Sequence, residues 1–161
     1  MSSVIILKKI SKYSPEQTLE NFKHAAQRAN MYCFHLSVDL DPDNNFQSAE
    51  GTLSEVNEET LLNTDDEETI RYFTFNVNKV VEDSYDSFTW LTQSTDYFWA
   101  VDIVNINHEY EFIYRFVVEY FQHNREDYLW FDDAEWYYTA DDILKLSQRP
   151  YNPKWCSEKV V

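Results

Sequence analysis

Glycine is almost missing from this chain. Gly51 is the only one in 161 residues, against roughly 7% in an average protein. Phosphate-cradling loops and dinucleotide-binding turns need several glycines at fixed offsets, for tight turns and close backbone approach. Nucleotide chemistry of those kinds is excluded. Basic residues are scarce as well. Thirteen lysines and arginines stand against 29 aspartates and glutamates, a formal net charge of −16. Such a surface repels phosphate backbones and anionic lipid head groups, which argues against direct nucleic-acid or membrane binding. It speeds encounter with a cationic protein instead, while also maintaining solubility.

Cys33 and Cys156 are the only cysteines. They are far apart in no paired spacing, and they read as two free thiols in a reducing, cytoplasmic setting. No stretch approaches the roughly 18 apolar residues of a membrane span. The run Val4-Ile5-Ile6-Leu7 is too short for a signal peptide, and Lys8 and Lys9 follow it rather than precede it.

Aromatic side chains are abundant, at 17% of the residues within an apolar fraction of 43%. That is enough to fill the core of one domain spanning residues 1–161, with an extended tail from residue 147 in which Trp155 is the anchor. Ser14-Pro15-Glu16-Gln17 starts a helix: Ser14 caps, Pro15 suits the first helical position and Gln17 completes a capping box. Leu19, Phe22, Ala25, Ala26 and Ala29 then recur at helical spacing to Asn30. Tyr32 to Leu40 alternates as a strand ending at Asp41-Pro42-Asp43.

From Ala29 to Ile70 there is no lysine or arginine. Eleven acids fall in that stretch: Asp39, Asp41, Asp43, Glu50, Glu55, Glu58, Glu59, Asp65, Asp66, Glu67 and Glu68. Apart from a short helix around Leu53, Val56, Leu61 and Leu62, it reads as a long acidic connection, solvated or used for interaction.

The periodicity predicts three strands joined by short turns: Ile70–Val81, Tyr85–Thr92 and Tyr97–Ile106. The last is apolar on both faces and is expected at the centre of the sheet. Asn107–His123 reads as a helix whose buried face is Tyr110, Ile113, Tyr114, Val117, Val118, Tyr120 and Phe121. Phe112 and Phe116 fall off that stripe and need a second neighbour or exposure, while Glu111 and Arg115 are spaced to pair. Tyr128–Phe131 and Trp136–Tyr138 suggest a hairpin. Thr139 caps a short final helix, Ala140–Leu146, whose dipole Asp141 and Asp142 complement. The expected fold is therefore α+β: a mainly antiparallel sheet packed by two principal helices, with a short C-terminal helix.

No cofactor or metal motif appears. The histidines are His24, His35, His108 and His123, and His108-Glu109-Tyr110-Glu111 lacks the second histidine of a His-Glu-x-x-His zinc pattern. Cys33 and His35 lie two apart on a predicted strand and so share a face, as a thiol nucleophile and its base would. Free cysteines in strands ordinarily serve as small core hydrophobes, and no catalytic residue is expected.

The region from Tyr85 to Tyr138 combines 18 aromatic residues with 11 acids, and Arg115 and Arg125 are its only basic residues. Tyrosine and tryptophan are favoured interface anchors, and carboxylates steer a cationic partner. The partner-binding residues expected on this basis are Asp127, Trp130, Asp132, Asp133, Glu135 and Trp136, with the two tryptophans exposed. In the acidic aromatic stretch Asp127–Tyr138, and in its general character, the chain resembles the small acidic immunity proteins with which bacteria neutralise polymorphic toxins. The resemblance implies a cytosolic, non-enzymatic inhibitor of a basic protein such as a toxin, and it implies no topology. Two alternatives stand beside it. One is a nucleic-acid mimic occupying a DNA-binding cleft. The other is an enzyme of unfamiliar type using His35, His108 or a carboxylate pair.

Overall fold

The computed structural model describes residues 3–65, 69–80, 96–106, 110–132 and 134–161. Seven strands form one antiparallel sheet: β1 (Val4–Lys9), β2 (Tyr32–Leu40), β3 (Phe46–Ser54), β4 (Tyr72–Asn78), β5 (Tyr97–Val104), β6 (Tyr128–Phe131) and β7 (Tyr137–Thr139). Their spatial order is β2-β3-β4-β5-β1-β6-β7. The expected α+β class is observed, and β5 sits at the centre of the sheet as its two-sided apolar pattern requires. The expected strand Tyr85–Thr92 lies outside the described residues.

Helix α1 (Pro15–Arg28) begins as the sequence indicates, with the Ser14 hydroxyl accepting the Gln17 N–H at 3.2 Å. The Gln17 side chain donates to Asn21 at 3.0 Å rather than closing the capping box. Asn30 ends the helix in the left-handed region, φ 58°, a conformation asparagine tolerates. A short helix α2 (Glu58–Leu62) follows β3. Helices α3 (Tyr110–His123) and α4 (Ala140–Ser147) complete the set among the described residues. Thr139 and Asp142 form a reciprocal capping box at the start of α4.

Helix α3 buries Phe112, Ile113, Phe116, Val117, Tyr120 and Phe121, leaving Tyr110, Tyr114 and Val118 at its margins. Phe112 and Phe116 are inside because α3 has two neighbours. Phe116 meets Phe22 of α1 at 4.8 Å between ring centroids, and Phe112 meets Phe73 of β4 at 5.8 Å. The pairing expected between Glu111 and Arg115 gives way to longer-range contacts. Glu111 reaches Arg71 at 2.8 Å, and Arg115 donates to the Ala29 carbonyl at the end of α1 at 3.1 Å. Phe22 touches Phe75, Phe116 and Tyr120 and is wholly buried. Phe22→Ala should therefore cost about 3–5 kcal/mol in urea unfolding, cavity included.

Three regions depart from the sequence reading. Phe46–Ser54 is not connection but strand β3, joined to β2 by a turn that Asp41 closes. Its carboxylate accepts the Asp43 and Asn45 N–H groups, each at 2.8 Å, and the Asn45 N–H first of all holds it below the usual carboxylate range. The run Val4–Leu7 is a strand inserted between β5 and β6, and all four side chains are fully buried. The tail beyond Ser147 is packed rather than extended. Trp155 is buried against Phe131 and Tyr114, and the Tyr138 hydroxyl donates to its carbonyl at 2.8 Å.

Candidate functional site

The segment Asp127–Tyr138 is largely structural. Asp127 is 6% exposed and pairs with Lys8 of β1 at 2.7 Å. It also accepts the hydroxyl proton of Tyr120, itself fully buried, at 2.8 Å. Burial pushes the Asp127 carboxyl up, and the Lys8 charge pulls the other way. Trp130 is 9% exposed, and its indole donates to the Ala134 carbonyl at 2.9 Å. Neither side chain is available to a partner, which corrects the expectation for both. The reason for Trp130 is that the second face of the sheet is also covered here: Ile5, Leu7 and Tyr97 are buried beside it.

Asp132, Glu135 and Trp136 do come together, around a cleft of about 470 Å³ that also contains Cys156. Trp136 is half-buried, with its ring 5.6 Å from Phe131 and 5.2 Å from Tyr138. It is a wall of the fold rather than a projecting anchor. Asp133 lies outside the described residues, as does His108.

Cys33 and His35 do not share a face. Between Phe34 and Ser37 the ladder slips by one residue, with His35 in the left-handed region at φ 54°. Cys33 then packs against the core. His35 borders a polar cleft with Glu50, Thr52, Thr74, Asn76 and Asn105, and bonds Glu58 at 2.9 Å. Burial pushes the Cys33 thiol up to about 11, and both cysteines are free. Thiolate chemistry at neutral pH is disfavoured. Alkylation of Cys33 should stay slow through pH 8 and accelerate towards about pH 11. A fast reaction at pH 7 would contradict the burial argument. Among the described residues no group of three histidines, cysteines or carboxylates could hold a metal ion, and no helix is long and apolar enough to cross a membrane.

The surface that remains is β2. It ends the sheet and carries exposed Tyr32, Leu36, Val38 and Leu40. Val38 opposite Ala49, and Leu36 over Gly51, place the aliphatic row on the face that the helices cover further in. Ser37 and Asp39 point the other way, opposite Glu50 and Ser48 of β3. Asp43 and Glu50 are exposed nearby, and Lys79, donating to Gln47 at 2.6 Å, is a cation at the margin. The sequence signal for this site was present in the alternation of Tyr32–Leu40. Alternation marks a strand without saying that the strand ends the sheet. No family model, curated protein or solved structure matches this chain.

Proposed function

We propose that the protein is a non-enzymatic binding module that takes a basic protein partner, as an inhibitor or immunity protein would, through the β2 edge. One observation carries this reading. Among the described residues, three of the five exposed aliphatic side chains, Leu36, Val38 and Leu40, form a row on β2, inside the stretch that holds eleven acids and no lysine or arginine. Apolar side chains supply the contact area, and the carboxylates supply steering and selection by sign. A phosphate backbone has no counterpart to Leu36, Val38 and Leu40, so the row favours a protein partner over mimicry of nucleic acid.

The test is capture from the native host with two baits, wild type and the triple variant Asp39→Asn, Asp43→Asn, Glu50→Gln. Asp41 is left intact because it closes the β2–β3 turn. Wild type should retain a protein of basic isoelectric point that salt releases and the triple variant holds poorly. Equal retention by both baits, or a partner of acidic isoelectric point, would overturn the proposal.

A further inference from the structure

Resting on that reading, we infer that the partner binds by adding a strand to β2: an extended segment alternating aliphatic with lysine or arginine side chains. Edge strands leave a row of N–H and C=O groups ready to pair, and proteins usually blunt them by shortness, lysine, proline or charge. The opposite edge follows that rule, since β7 has three residues. The β2 edge follows it only in part, through Asp39 and through bulges, a further such device, at His35 and between Asp39 and Leu40. It is nine residues long, with neither lysine nor proline inside it, and among the described residues no strand lies beyond it.

The two faces of β2 differ in chemistry. An added strand would find Leu36, Val38 and Leu40, 40–49% exposed, on one side. On the other it would find Asp39, with Glu50 one strand further in. Because side chains alternate along a strand, its recognised sequence alternates too. The ladder slips at His35 and again between Asp39 and Leu40, so the in-register stretch is Ser37–Asp39.

Gly51, the only glycine, fits this surface. A Cβ there would lie 2.7 Å from Leu36 Cδ2 and 2.8 Å from Phe75 Cζ. Its absence lets Leu36 lie down on the sheet in line with the row. A second copy of the chain is the obvious competitor for the edge. It would bring another net charge of −16 and the same acidic stretch, which the charge opposes.

The probe is a nine-residue peptide alternating lysine and valine, compared with its glutamate–valine counterpart and with a version carrying proline at the centre. Only the unbroken lysine peptide should bind. It should slow amide exchange across residues 37–39 and weaken about tenfold or more with Val38→Lys, the scale of a hot-spot loss. Val38 is 49% exposed, so the variant should keep the native fold, with circular dichroism as the check. Three results would overturn strand addition. The first is binding that survives Val38→Lys or the central proline, which would leave the acidic-surface reading intact. The second is a dimer of the protein alone that Val38→Lys dissociates. The third is no binding by any of the peptides. Failure of the function itself is read separately, in the capture experiment.

Discussion

Lys8→Met should lower folding stability by about 3–5 kcal/mol, the cost of leaving one partner of a buried ion pair uncompensated. Lys8 and Asp127 retain 12% and 8% side-chain exposure, so solvent screens the pair little. Their contact ties β1 to the start of β6 across 119 residues of sequence. Lys8→Met/Asp127→Asn should regain much of the loss, because asparagine still accepts the Tyr120 hydroxyl and no lone charge remains. The pH dependence has a definite sign. A carboxyl raised on folding favours the fold below its unfolded value of about 3.9 and loses that contribution as pH climbs through the folded value. Removing Lys8 raises Asp127 further. The deficit of the single variant should therefore be largest at neutral pH and shrink as pH falls towards about 4. Urea unfolding at several pH values measures it, and a loss under about 1 kcal/mol at pH 7 would contradict the burial of the pair.

The second large effect lies at the alkaline end. Burial raises the phenols of Tyr13, Tyr97, Tyr110, Tyr114, Tyr120, Tyr137, Tyr138 and Tyr151, that of Tyr138 to about 12. For Tyr120 the adjacent Asp127 carboxylate adds to the effect. A raised phenol contributes stability below its unfolded value near about 10 and loses it as pH rises beyond that. Several such groups should make unfolding above pH 10 cooperative. The part of the phenolate absorbance that belongs to these buried tyrosines should appear together with the loss of the far-ultraviolet circular dichroism. Phenolate forming in a single free-tyrosine wave near pH 10, with the circular dichroism still native, would refute it.

The parts of the fold that were legible carried a local signature. Ser14-Pro15 and Thr139 announce the starts of α1 and α4 through side-chain capping, and β5 declares its central place by being apolar on both faces. What was hidden lacked one. Ala49 and Gly51 hold two of the core-facing positions of β3 and only Leu53 is large, so its alternation has little hydrophobic contrast. The four residues Val4–Leu7 are buried on both faces and show no alternation at all. In α3 nine of the fourteen positions are aromatic or aliphatic, and period alone cannot choose between overlapping stripes. The choice falls to Phe22 and Phe73, which are remote in sequence.

The candidate site was harder for the same reason. Asp127 looks like one more surface acid until Lys8 is brought to it. Trp130 alternates with core-facing Leu129 and Phe131, which suggests solvent, but Ile5 and Leu7 make that face a second core. The aliphatic residues of Tyr32–Leu40 were plain to see, and only the strand order shows that they lie on an edge.

Under the proposed function, the acidic β2 edge selects a basic protein. The association rate with the captured partner, measured by stopped flow as salt is raised, tests that selection. The Debye length shrinks from about 30 Å at 0.01 M to about 10 Å at 0.1 M ionic strength, so a steered encounter should slow markedly over that range. Asp39→Asn with Glu50→Gln should lower the low-salt rate and flatten its salt dependence, with little change in dissociation. An association rate indifferent to salt and to both substitutions would contradict the claim.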